Sequence, residues 1–267
     1  AVKGAFKRKS NMIFGKIFIV IQNVATIVMI ACAITMYLQV RHLINAPLGY
    51  DYENIIGIPF PYTEDIVHDG ELFSGELLKL PCVEKVSFTC GEPHSRGNNI
   101  TYTYNGNTIS FQQFVSDSVF MDILGLELKK DNRLASDKKP FINMQAINEL
   151  GLDEDATDFT FSGSKYPVAG ILEDFKIGNV LQDQHPVMVY IQKPFVNFYP
   201  WDVLIKIKGD RQQALEQVRE VFEKVYSKEL ADSTFELPYM SQKIENDFDQ
   251  QERLSVILTV FALIAIM

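Results

Sequence analysis

The chain has 267 residues, 47% of them apolar and 22% charged, which excludes a disordered polypeptide. Twenty-five Lys and Arg against 34 Asp and Glu give a net charge of −9, a sign that argues against a nucleic-acid partner. The charge is unevenly divided: residues 1–16 hold Lys3, Lys7, Arg8, Lys9 and Lys16 and no acid, which is +5, so the remainder carries −14.

Ile17 to Leu38 follows as 22 residues without a charge. A helix of that length spans roughly 33 Å, enough for a hydrocarbon core of about 30 Å. Gln22, Asn23, Thr26 and Thr35 interrupt the run, and in lipid such groups prefer a helix–helix interface. Cations precede the run and acids follow from Asp51 on, so the positive-inside rule puts the N-terminus in the cytoplasm and the next segment outside. Two alternatives share these residues. Ala31-Cys32-Ala33 is A-x-A-like, as in a cleaved signal peptide, and Met29-Ile30-Ala31-Cys32 loosely resembles a lipobox. Both would cut inside the run and waste Ile34 to Leu38, so its length favours a membrane helix.

Beyond it, Asn54 to Phe60 reads as a buried strand, and Leu72, Phe73, Leu77 and Leu80 share a helix face that Pro81 ends. Val86, Phe88 and Cys90 alternate as a strand, completing a β-α-β unit. Gly91 to Asn99 is a polar loop, a plain connection or a contact loop. Ile100 to Tyr104 and Thr108 to Phe111 are strands of a hairpin turning at Asn105-Gly106. Ser116 is expected to cap a short helix with Val119, Phe120, Ile123 and Leu124 inward and Gly125 at its end. Met144 to Leu150 is a second short helix closed by Gly151, and Tyr166 to Leu172 and Val187 to Ile191 are strands. A second β-α-β unit is predicted from the strand Val203 to Ile207, an Asp210-capped helix through Ala214, Val218 and Phe222, and a strand at Ser233 to Leu237. Tyr239 to Arg253 has one narrow apolar line, Met240, Ile244 and Phe248, and is expected to be a stalk helix. Leu254 to Met267 is 14 uncharged residues, too few to span a bilayer. It is expected to be the truncated start of a second membrane helix, so that the chain is a piece of a longer polypeptide.

Little in the chain points to catalysis. Gly163-Ser164-Lys165 lacks the spacing of a P-loop, so ATP hydrolysis by this chain is not expected. His42, His68, His94 and His185 are scattered rather than clustered as zinc ligands. Cys82 and Cys90, at the two ends of one strand, would lie about 26 Å apart and should be free thiols. Asp153-Glu154-Asp155 reads as a solvated loop. No catalytic residue, cofactor or metal is expected.

The order of segments is similar to that of the MacB/FtsX-type ABC transporter permeases. Lys3-Gly4 and Gln22 resemble the approach to their first membrane helix, and Leu48 to Asn54 (LGYDYEN) resembles the start of their outer domain. Leu80 to Val86, Asp117 to Leu128 (DSVFMDILGLEL), Ile147 to Gly151, Val168 to Phe175, His185-Pro186 and Gln251 to Arg253 resemble later family segments in the same order. The variant looks most like Bacteroidetes permeases. Departures at Asn143-Met144-Gln145 and Glu173 fall on residues read as structural.

The resemblance implies an α+β, membrane-anchored periplasmic domain with two lobes, a β-α-β Porter-like lobe and an inserted β-rich Sabre-like lobe, between two transmembrane helices. The expected division is a basic cytoplasmic segment (1–16), a transmembrane helix (17–38), the first half of the Porter-like lobe (39–98), the Sabre-like lobe (99–200), the second half of the Porter-like lobe (201–238), a stalk helix (239–253) and the start of a second transmembrane helix (254–267). It further implies a bacterial inner-membrane permease subunit, with residues 39–253 periplasmic, that conveys ATP hydrolysis by a separate cytoplasmic subunit. The implied partners are that ABC ATPase, a second permease copy, membrane lipid, and in some members a periplasmic adaptor and an outer-membrane channel. Efflux of peptides or antibiotics, lipoprotein handling and control of cell-wall hydrolases all occur in the family. Candidate coupling residues are Met240, Ile244 and Phe248 on the stalk, with Lys7, Arg8 and Lys9 at the cytoplasmic end. The alternative is a two-helix transmembrane sensor with a periplasmic ligand-binding domain.

Overall fold

The structure, a computed structural model, describes residues 2–95, 97–104, 107–134, 139–161 and 164–266. The Asn105-Gly106 turn, Arg96 of the polar loop, Gly163 and Met267 lie outside these residues, as do the side chains of Lys3, Lys7, Arg8 and Lys9. The chain forms two compact units: a helical one from its two ends, and a sheet-rich one, Pro47–Ile244.

The first helix, α1, is Val2–Ile44, and its portion Phe14–Ile44 is long and apolar enough to cross a membrane. It runs past Leu38 because nothing up to Leu43 breaks a helix. Arg41 and His42 suit the negative end of its dipole, and Pro47 cannot continue it. Residues 39–44, expected in the first lobe, therefore belong to α1. Of the four polar residues in the apolar run, Thr26 is buried, and its hydroxyl donates to its own helix at Gln22 O (2.9 Å).

The sheet-rich unit is a mixed α/β structure. It begins with β1 (Ile55–Pro59), α2 (Ile66–Leu77) and β2 (Val83–Cys90). Asp65 caps α2 by accepting from His68 N, and Phe73 and Leu77 point inward, whereas Leu72 is 42% exposed on the opposite side. The middle supplies β3 (Asn98–Tyr104), β4 (Asn107–Ser116), α3 (Phe120–Ile123), β5 (Leu128–Asp131), β6 (Phe141–Asn143), α4 (Met144–Leu150), β7 (Asp158–Phe161), β8 (Ser164–Pro167), β9 (Gly170–Leu172) and β10 (Val187–Ile191). β11 (Asp202–Ile207), α5 (Arg211–Val225), α6 (Lys228–Thr234) and α7 (Met240–Asn246) follow, and α8 (Asp249–Ile266) closes the described chain.

Three local expectations are corrected. Ser116 is the last residue of β4, and Asp117 organises the turn into α3 by accepting from Phe88 N, Val119 N and Ser87 Oγ. Tyr166 to Leu172 is two strands, because Val168 N and Ala169 N leave the ladder for Thr157 O and Pro140 O. Ser233 to Leu237 is not a strand. Ser227 caps α6, which consumes this stretch up to Thr234. Among the described residues, a single bridge, Tyr239 with Ile56, remains on that side of β1.

Among the described residues, nine strands form one sheet in the order β1-β11-β2-β4-β10-β6-β9-β5, with β3 paired to β4, and β7 pairs with β8 separately. β11 runs antiparallel to both β1 and β2, so the first β-α-β unit is split by a strand from the second. The two expected lobes thus share a sheet, joined where β4 pairs with both β2 and β10. Each end keeps its own core. Ile56, Ile58, Val203 and Ile205 pack under α2 and α5 at one end, and Ile109, Phe111, Ile147 and Ile171 pack around α4 at the other.

In the helical unit, α8 packs on α1. Ser255 Oγ donates to Ala33 O at 3.2 Å, a contact that the small side chains allow by close backbone approach.

Candidate coupling site

The last turn of chain before α7 is pinned to the edge of β1. Pro238 O accepts from Gly57 N (2.8 Å), Tyr239 bridges Ile56, and the Arg211 guanidinium lies 4.2 Å from the centre of the Tyr239 ring. Side chains alternate along β1 and β11. Ile56, Ile58, Val203 and Ile205 therefore face α2 and α5, while Ile55 and Leu204 face the other way, toward Met240 and Ile244 of α7. Met240 and Ile244 are buried there with Leu48 and Tyr50.

Lys243 lies on the same helix and forms a 2.6 Å ion pair with Glu92 Oε1. Glu92 is 1% exposed, and its Oε2 has no hydrogen-bond partner among the described residues. Gly57 makes this arrangement possible. A Cβ at that position would lie 2.5 Å from Glu92 Oε2 and 3.3 Å from Met240 Cγ, so the strand needs a residue without a side chain.

Asp202, the first residue of β11, is half-buried and lies near enough to Glu92 and Lys243 to feel their charges. Burial pushes its carboxyl up to about 7 and the Glu92 charge adds to the rise, while Lys243 and the Gly91 N–H oppose it. Beside it, burial and then the Asp202 charge push the Cys90 thiol up to about 11. One buried carboxylate, Glu92, is thus paired with the Lys243 ammonium, and a second, half-buried one at Asp202 feels both charges. The site offers no activated nucleophile, because the nearby thiol is held protonated.

Of the sequence-predicted coupling residues, Met240 and Ile244 come together in the core, as packing residues rather than along a free stalk. Phe248 is 2% exposed and lies in the turn between α7 and α8. The continuous stalk helix expected over 239–253 is interrupted there, because Asn246 and Asp247 are weak helix formers. Sequence reasoning missed the Glu92–Lys243 pair. Two signals pointed near it: a glycine inside an apolar strand, Gly57, and the polar loop that contains Glu92.

Cys82, Cys90 and Cys32 carry free thiols, with Cys82 and Cys90 bracketing β2. Among the described residues, no group of three or more His, Cys, Asp or Glu could hold a metal ion.

No protein-family model matches the chain, and no curated protein matches it. Among solved structures, the chain is similar to the periplasmic region of MacB from Actinobacillus actinomycetemcomitans, with 11% identity and a TM-score of 0.45 over 65% of this chain and 85% of that one. It is similar to the extracellular domain of the noncanonic ABC-type transporter YknZ from Gram-positive bacteria, with 11% identity and a TM-score of 0.44 over 64% and 94%. A domain of a protein described as a permease from Porphyromonas gingivalis gives 14% identity and a TM-score of 0.42 over 68% and 88%. With TM-scores below 0.5, these likenesses leave the functional argument to the residues themselves.

Proposed function

We propose that this chain is the membrane–periplasm–membrane part of a MacB/FtsX-type ABC transporter permease of the Bacteroidetes-like kind. In this reading α1 and α8 cross the inner membrane, the N-terminus is cytoplasmic, and the sheet-rich unit is periplasmic. A separate cytoplasmic ABC ATPase hydrolyses ATP, and a second permease copy completes the membrane part. The reading assigns no catalytic residue to the chain.

The observation that carries it is how the chain leaves the sheet-rich unit. α7 is seated on the sheet by Met240, Lys243 and Ile244, and after two turn residues the chain enters α8, which packs on α1. A seated helix with so short a connection to an apolar helix suits the transfer of displacement, which is what a mechanotransmission device requires. The ordered family-like segments from Leu48 to Arg253 support the same class. Peptide or antibiotic efflux and lipoprotein handling are the roles such a device would serve, with an adaptor and an outer-membrane channel in the efflux case.

Purification of the full chain from its native membranes tests the reading. We expect a P-loop ATPase to accompany it and to hydrolyse Mg-ATP at a rate that Lys243→Met alters. Absence of an ATPase, or co-purification of a phosphotransfer protein as for a two-helix sensor, would contradict it.

A further inference from the structure

We propose that β3 is the contact strand of a dimer: its free edge pairs antiparallel with β3 of a second copy of this chain, centred on Thr101. The inference stands on the edges of the sheet and does not rest on the permease reading.

A sheet edge offers N–H and C=O groups to any other strand, and edges are ordinarily blocked by charge, proline, a bulge or a covering segment. Two edges of the large sheet are blocked in this way. β1 is covered by the Pro238–Tyr239 segment, through the bond from Gly57 N to Pro238 O and the bridge at Ile56. β5 carries Lys129 and Lys130, and its register with β9 is irregular. β3 has none of these devices. Its seven residues, Asn98–Tyr104, pair with β4 without a bulge, and among the described residues no strand pairs with its outer side. From Gly97 to Ser116 the sequence has no charge and no proline, in a chain that is 22% charged.

The direction of the free groups follows from β4. Gln112 N donates to Pro186 O (2.9 Å), on the β10 side, so Gln112 and its β3 partner Asn99 form a non-hydrogen-bonded pair. Asn99 therefore turns its N–H and C=O outward, and by alternation so do Thr101 and Thr103, all three exposed. Antiparallel pairing about Thr101 brings these outward groups together. It sets Thr101 opposite its own counterpart, Asn99 opposite Thr103 and Ile100 opposite Tyr102. Threonine–threonine and aromatic–β-branched pairs are favourable across strands, and no like charges oppose the match.

A second copy, rather than a foreign strand, is the occupant that the topology favours. Leu48 and Tyr50, where the chain enters the sheet-rich unit, and Met240 and Ile244, where it leaves, pack on one face of the sheet together with Phe114 of β4. Antiparallel edge pairing relates two copies by a two-fold axis perpendicular to the sheet, so this face points the same way in both. Two copies held in one bilayer require that, and α1 holds a segment long and apolar enough to cross one. Pairing over seven residues is small for a stable interface, so tethering in the membrane supplies the effective concentration it needs.

Oxidative cross-linking of the full chain in its native membranes tests this, with Cys32→Ser in the background because Cys32 is exposed. Residues in a hydrogen-bonded antiparallel pair have Cα atoms about 5.5 Å apart, within disulfide range. Thr101→Cys should therefore give a disulfide-linked homodimer. The yield should be roughly tenfold above that of Thr103→Cys, whose two copies would be offset by about 13 Å along the strands. Adding Thr103→Pro to Thr101→Cys should abolish the cross-link, because the Thr103 N–H points outward and proline removes no bond to β4. No cross-link at 101, equal yields at 101 and 103, or a cross-link that survives Thr103→Pro would overturn the proposal. So would a Thr101→Cys adduct with a different polypeptide. Should a variant fail to fold, amide exchange of the wild type decides. The Asn99, Thr101 and Thr103 amides should exchange about tenfold more slowly in membranes than in dilute detergent, while Ile100 and Tyr102 stay protected in both. Equal exchange of the three outward amides in the two states would contradict the dimer.

Discussion

Both faces of the sheet made by β1, β11 and β2 are covered by apolar cores, but one of them also holds a buried ion pair. Under α2 and α5 the contacts are apolar, and the rings of Phe73 and Phe222 meet edge to face at 5.6 Å. On the other face Met240 and Ile244 share their helix with Lys243, whose partner Glu92 is fully buried. Apolar burial stabilises at any pH, whereas a buried ion pair must offset the desolvation of both charges. One face is built to stay closed. The other holds its helix partly through a charge pair that the loss of one partner can change.

Substitutions should separate the two faces. The largest effect is expected for Phe222→Ala, which empties the centre of the apolar face. Its loss should be about 3–5 kcal/mol in denaturant unfolding, with no dependence on pH between 5 and 8. A loss below about 1 kcal/mol would mean that the face is not the main core. Lys243→Met strands the buried Glu92 carboxylate and should cost about 3 kcal/mol. Adding Glu92→Gln should recover most of that loss, whereas simple additivity would refute the pairing. Asp117→Ala should cost about 2 kcal/mol, because three donors lose their acceptor. This carboxylate has its partners, unlike Glu92 Oε2, so its loss should not alter α7 exchange. Asp210→Ala removes the cap of α5, where the side chain accepts from Gln213 N at 2.8 Å. It should cost about 1 kcal/mol, seen as faster exchange in the first turn of α5 only.

Much of the apolar packing was readable in the sequence, and the buried ion pair on the second face was not. β10 and the core of β11 follow from runs of apolar and β-branched residues. The cap at Asp210 and the left-handed Gly151 after α4 follow from local chemistry that acts within four residues. Errors came where two local readings competed. Ser233 to Leu237 has a strand-like pattern, but the Ser227 cap upstream starts a helix that takes it over. Leu72 fits a helical spacing but falls on the outer side of α2, since Gly70, Phe73 and Leu77 define the buried one. The Glu92–Lys243 pair joins residues 151 apart, and no periodicity, cap or turn links them before the sheet is assembled. Membrane length was legible because hydropathy is additive along a helix.

In the proposed function α7 would convey motion between the sheet-rich unit and α8. Its most direct test is hydrogen exchange of the full chain in complex with the ATPase that accompanies it, in nanodiscs at pH 7, with and without Mg-ATP. ATP is expected to change the protection of the α7 amides from Lys243 to Asn246, while the amides of α5 stay the same. Identical α7 protection in both conditions, with ATP hydrolysis under way, would contradict it.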